Sequence, residues 1–191
     1  MACHDVSRGR VQAGEDVLVI GGGPIGLLVA MAAKSAGGNV IVSEINETRL
    51  NIIDSLGFKT INPAKDDLKA TVNELTSDKG AEVVFEVSGS QAGVAACTET
   101  AAVRGRIVMV AIHPEPQPVD LFQFFWRELE LFGARVYEPQ NYDQAINMLA
   151  KGEVATDIMI TDETPLSGIQ GAFESLDGNA NAMKSLIKIN A

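Results

Sequence analysis

Val17-Leu-Val-Ile-Gly-Gly-Gly-Pro-Ile-Gly26 decides the fold of this chain. Its four leading apolar residues, three of them β-branched, read as a buried strand. The glycines end that strand. Pro24 then suits the first turn of a helix, where a missing N–H costs nothing. Gly21, Gly23 and Gly26 stand at the G-x-G-x-x-G spacing of a dinucleotide-binding turn. The chemistry requires that spacing. A pyrophosphate needs backbone N–H groups and the positive end of a helix dipole, and side chains on the turn would hold it away from both.

Outward from this turn, apolar runs alternate with amphipathic stretches. Strands are expected at Asp16–Ile20, Asn39–Ser43, Lys59–Ile61, Glu82–Val87, Arg106–Ile112 and Leu129–Val136, with helices at Pro24–Ala36, Glu47–Leu56, Asp66–Ser77 and Gln91–Val103. This alternation implies an α/β fold, a doubly wound six-stranded parallel Rossmann sheet that binds its ligand where the strand order reverses. Residues 1–150 are read as the dinucleotide-binding domain. Residues 151–191 form a small C-terminal return: strand Asp157–Thr161, helix Pro165–Leu176 and strand Ser185–Ile189. Leu129–Val136 is expected at a sheet edge, with Leu129, Leu131 and Gly133 open to pairing. The Phe122, Phe124, Phe125 and Trp126 cluster is expected to pack the core, with a role in that edge contact as the alternative.

Composition narrows the partners. The 191 residues carry a formal net charge of −10, which argues against a nucleic-acid footprint. No apolar run is long enough to span a bilayer, and the N-terminus lacks the apolar segment of a secretion signal. Cys3 and Cys97 lie far apart and suggest no disulfide framework, so a cytoplasmic setting is expected.

Glu44 closes the second strand. A carboxylate there can accept both hydroxyls of the adenosine ribose and would repel a 2′-phosphate, so the expected cofactor is NAD rather than NADP. Arg49, one helical turn on, either covers the adenine face or is an exposed helix cation. Val87 ends the fourth strand, and Val110, Ala111 and Ile112 end the fifth. Carboxyl ends of strands line the ligand crevice in such sheets, although plain strand termination would look the same. His113, just before Pro114, either touches a substrate or is an ordinary loop histidine.

The rest of a hydride-transfer site is missing. There is no Tyr-x-x-x-Lys, no Gly-x-Ser-x-Gly elbow and no cysteine pair at metal-ligand spacing. Adjacent Cys3 and His4 are poor geometry for one tetrahedral zinc and read as part of an N-terminal helix.

The ordered set Ala2-Cys-His-Asp-Val6, Gly21–Leu27, Phe85-Glu-Val-Ser-Gly89, Val110–Pro114 and Gly133-Ala-Arg-Val-Tyr137 resembles the zinc-containing branch of the medium-chain dehydrogenase/reductase family. The likeness is greatest to its polyol, butanediol and threonine dehydrogenases, and covers their coenzyme-binding domain. It implies that Ile25 contacts the cofactor, Glu44 the ribose and Arg49 the adenine end. It also implies that Val110, Ala111 and Ile112, with Ala134, Arg135 and Val136, enclose the nicotinamide side. Sorbitol-type members carry an arginine where Val136 stands and a tyrosine where Tyr137 stands; Tyr137 matches and Val136 departs, which counts against polyol specificity. In the family a separate N-terminal domain supplies the catalytic zinc, and its ligand motifs do not occur here. The resemblance therefore implies an NAD domain of a zinc-dependent enzyme that oxidises a secondary alcohol, inactive alone and paired through its sixth strand into a homodimer. A non-enzymatic NAD module and an S-adenosylmethionine domain are the alternative readings.

Overall fold

A computed structural model describes residues 1–176 and 182–189. After helix α1 (Ala2–Gly9) come β1 (Asp16–Ile20), α2 (Pro24–Ser35), β2 (Asn39–Ser43), α3 (Glu47–Ser55), β3 (Lys59–Ile61), α4 (Leu68–Leu75), β4 (Ala81–Glu86), α5 (Gln91–Thr100) and β5 (Ala101–Met109). Then follow α6 (Leu121–Arg127), β6 (Glu130–Gly133), α7 (Pro139–Ala150), α8 (Thr156–Met159), β7 (Ile160–Pro165), α9 (Ile169–Leu176) and β8 (Lys184–Lys188). The main sheet is six-stranded and parallel, in the order β3-β2-β1-β4-β5-β6. This is the expected Rossmann-like α/β architecture, and its strand order reverses between β1 and β4.

The apolar run Val17–Ile20 explains the core. A central parallel strand is covered on both faces, so successive residues enter different cores. Val17 and Val19 join one cluster with Leu27 and Val29 of α2, Ile53 of α3 and Met148 of α7. Leu18 and Ile20 join the other, with Val72 of α4 and Cys97 of α5. Burial is complete at Val17, Leu18 and Val19.

Strand ends differ from the sequence expectation where tertiary pairing decides them. β5 starts at Ala101 because Ala101 pairs with Ala81. The register then shifts, with Arg104 at φ 60°, before Arg106 meets Val83. β6 is only Glu130–Gly133, since β5 offers it four partners and no more. It does lie at the sheet edge, but Leu129 just before it is buried rather than open. The aromatic cluster splits as well. Phe124 packs on a core cluster, whereas Phe122, Phe125 and Trp126 are exposed, contrary to a core role. They share one face of the two-turn helix α6, where the Phe122 and Trp126 rings stack with centroids 6.0 Å apart.

Residues 157–159, expected in a strand, finish the short helix α8; the strand starts at Ile160. β7 and β8 pair in parallel as a separate two-stranded sheet, and Met159 and Met183 beside them are buried in the first core cluster. Cys3 and His4 lie within α1, as the helical reading of that segment holds.

Candidate functional site

The glycine turn leaves β1 and enters α2 under two tight contacts. Gly21 has φ 104°, a conformation that disfavours any side chain, and a Cβ on it would come within 2.8 Å of Ser88 N. A Cβ on Gly26 would lie 1.8 Å from the Gly21 carbonyl oxygen, so the helix can sit against the turn only as glycine. Gly23 is different. A Cβ there would meet only Arg49 Nη1, at 3.6 Å, so the protein itself leaves room for a side chain. Close approach of a ligand's backbone-bound group is what such a glycine serves.

A groove of about 440 Å³ opens over this turn. Gly21, Gly23, Glu44, Arg49 and Val87 all line it, together with Ser88 and Leu68. Ile25 and Gly26 sit at the start of α2 beside it, Ile25 partly exposed and Gly26 buried behind the turn. Val110, Ala111 and Ile112 follow β5, and Ala134, Arg135 and Val136 follow β6; none of these six borders this groove. They form the open end of the sheet, where Ile112 is 91% exposed. Val136 has φ 62°, strained for a β-branched residue.

Glu44 is buried, and its carboxylate is held by backbone donors. Gly22 N–H donates to Oε2 at 2.8 Å, and the N–H groups of Ile45 and Asn46 donate to Oε1 at 2.8 Å. Its negative charge is thus fixed beside the glycine turn. Gly22, outside the glycine fingerprint, was not legible as a partner; a Cβ there would come within 2.4 Å of Ile53 Cδ1. Arg49 leans over Gly23 with Nη1 3.9 Å from Glu44 Oε2, and its Nε is buried with no partner.

The helix termini carry a further contrast. Side chains cap the N-termini of α3 (Asn46), α4 (Asp67), α5 (Ser90) and α6 (Asp120). α2, aimed at the groove, has no side-chain cap. A helix start left open beside a glycine turn is suited to an anion. The uncapped helix, the room above Gly23 and the unpartnered Arg49 Nε all fit a dinucleotide. A catalytic zinc does not fit: among the described residues no group of three or more His, Cys, Asp or Glu could hold a metal ion.

Past the groove, Glu86 is fully buried at the end of β4. It accepts hydrogen bonds from Ser88 N at 2.9 Å, from Ser88 Oγ, and from His113 Nε2 at 2.9 Å. An acid closing the apolar run Val83-Val84-Phe85 at the end of β4 was the signal available in sequence. Cys97 lies beneath it in α5; burial, and then the Glu86 charge, push its thiol far above the ordinary range, so it is not a nucleophile.

Comparison with known proteins places the chain. The model of the family "Zinc-binding dehydrogenase" matches residues 24–151. The chain belongs to this zinc-binding dehydrogenase family. It is 52% identical over 191 residues to a 2-dehydro-3-deoxy-L-galactonate 5-dehydrogenase of Pseudoalteromonas atlantica, covering 100% of this chain and 56% of that protein. Its fold matches 2R,3R-butanediol dehydrogenase from Bacillus subtilis with a TM-score of 0.93 at 26% identity, over 99% of this chain and 55% of that one. A zinc-binding dehydrogenase from Sinorhizobium meliloti bound to NADP matches with a TM-score of 0.88 at 27% identity, over 98% of this chain and 57% of that one. The chain spans about half the length of these family members.

Proposed function

We propose that residues 1–150 are the NAD(H)-binding domain of a zinc-dependent alcohol or polyol dehydrogenase, with residues 151–191 as a C-terminal return packed on it or on the zinc-bearing domain. The carrying observation is the groove itself. The glycine turn, the uncapped start of α2 and the fixed Glu44 carboxylate converge on one cavity.

In this reading Gly21, Gly23, Ile25 and Gly26 hold the pyrophosphate, and Glu44 accepts the adenosine ribose hydroxyls. Arg49 covers the adenine end, and Val87 borders the middle of the cofactor. Val110, Ala111, Ile112, Ala134, Arg135 and Val136 enclose the nicotinamide side. NAD, when bound, supplies the acceptor for the hydride of a secondary alcohol. Zinc, held by residues outside this chain, would polarise the alcohol oxygen. The work of this chain is to bind the cofactor and aim its ring.

Glu44 favours NAD over NADP, because a 2′-phosphate would bring two negative charges to a buried carboxylate whose position is fixed. Arg49 nearby softens that preference, and one similar structure holds NADP. The ratio of NADH to NADPH affinity measures the balance. NADH is expected to bind more tightly, and Glu44→Ser is expected to narrow the gap.

The edge strand β6 and the exposed apolar residues Leu121, Phe122, Phe125 and Trp126 support a homodimer through that edge. Free Cys3 and Cys97 fit a cytoplasmic enzyme, and no helix among the described residues is long and apolar enough to cross a membrane. The purified chain is expected to bind NADH and to turn over no secondary alcohol. Zinc-dependent alcohol oxidation by this chain alone, or failure to bind NADH at millimolar concentration, would overturn the proposal.

A further inference from the structure

Glu86 joins two loops that flank the open end of the sheet. Its backbone carbonyl accepts the N–H groups of Val110 at 2.9 Å and Ala111 at 3.1 Å. Its carboxylate accepts Ser88 N, Ser88 Oγ and Gly89 N from the loop after β4. Oε2 is also 2.9 Å from His113 Nε2, in the loop after β5. The two loops touch: a Cβ built on Gly89 would lie 3.7 Å from both Ala111 Cβ and the Ile112 carbonyl oxygen. Ser88 reaches the groove on one side, and Ala111 and Ile112 form the open end on the other.

Chemistry sets the direction of the histidine bond. The Glu86 carboxylate accepts from Ser88 N and Gly89 N, and as an acceptor toward His113 it requires a proton on Nε2. The other ring nitrogen, Nδ1, is buried with no hydrogen-bond partner. The ring is thus held from one side only, by a carboxylate that also organises the neighbouring loop. Burying a polar nitrogen without a partner is unfavourable, and the Glu86 bond is what offsets it.

We propose that His113 is a positioning residue for the nicotinamide half of the cofactor. Through Glu86 it fixes the loop carrying Val110, Ala111 and Ile112 at the spacing from Ser88 that the ring requires. The adenine half does not depend on it. This rests on the NAD reading of the groove.

The test compares NADH with ADP-ribose, which shares the adenosine and pyrophosphate but lacks the ring. Both are titrated into the full chain by calorimetry, and the emission of bound NADH is recorded. His113→Leu removes the bond to Glu86, and His113→Asn is too short to make it. Each is expected to weaken NADH about tenfold and to shift the emission of the bound ring, while leaving ADP-ribose within about twofold. His113→Gln can again donate to Glu86 and is expected to restore NADH binding. A residue that merely stabilises the fold would weaken both ligands alike, and that result overturns the proposal. Unchanged NADH binding in His113→Leu and His113→Asn overturns it too. If the unsubstituted chain binds neither ligand, the reading of the groove falls, and this inference falls with it. ADP-ribose binding together with NADH affinity that the His113 substitutions leave unchanged removes this inference alone.

Discussion

The two halves of the sheet's ligand-facing end are built differently. Around β1 and β2 the surface is finished apart from Ile45, 67% exposed: the turn touches Ser88, Gly26 fits against Gly21, and Glu44 is closed over by three backbone N–H groups. Around β5 and β6 it is unfinished. Ile112 is 91% exposed, Trp126 70% and Leu121 74%, and Val136 is strained in the open. The finished half draws its contacts from its own βαβ unit and from the loop after β4. The other half ends in exposed apolar side chains, and the chain spans about half the length of the relatives it matches.

The largest expected effect tests the finished half. Gly26→Ala places a methyl 1.8 Å from the Gly21 oxygen, so the turn must move. A stability loss of about 3 kcal/mol, read by denaturant unfolding, and no measurable NADH binding are expected. Native-like NADH affinity would show that the turn is not the pyrophosphate cradle. Glu44→Ala comes next. It strands three backbone donors and is expected to cost about 2 kcal/mol of stability, with a drop in NADH affinity.

Asp5 provides a comparison behind the open half, in α1, whose Arg8 Nε donates to the Gly133 carbonyl oxygen of β6 at 3.2 Å. Burial pushes the Asp5 carboxyl up to about 6, against the opposing pull of the N-terminal ammonium and His4. The folded chain therefore binds this proton more tightly than the unfolded one. Stability is expected to fall as pH rises from about 4 to about 6, and to stay lower above that. Asp5→Asn should stabilise the chain by about 1–2 kcal/mol at pH 8, after allowance for solvent screening, with the gain gone below about pH 4. Thermal melts of both proteins across this range check the sign.

Smaller effects probe the open half. Val136→Gly relieves the left-handed strain and is expected to add about 0.5 kcal/mol of stability, net of the freedom glycine gains on unfolding. Trp126→Ser is expected to change the stability of the single chain by less than about 0.5 kcal/mol while weakening self-association in sedimentation. A large loss of single-chain stability would mean that Trp126 belongs to a finished surface after all.

The contrast also explains what was legible in advance. The glycine turn and the place of Glu44 are local: a few consecutive residues carry the strand, the turn and the acid after the next strand. The limits of β5 and β6 were misjudged because pairing partners far along the chain set them. Apolar spacing on the short helix α6 looks the same whether its face meets a core or solvent, so the exposure of Phe122, Phe125 and Trp126 was not legible in the sequence. Glu86 went unread as a hub because its partner His113 is distant in sequence and reaches it only when β4 and β5 lie side by side.

The order of residues thus carried the alternating architecture, the dinucleotide turn and the acidic end of β2, since each follows from propensity and spacing within one unit. The fold had to supply the rest. Parallel strands meet neighbours many residues away, so the backbone clasp on Glu44, the Glu86–His113 link and the exposure of α6 arise from packing, which spacing along the chain does not encode.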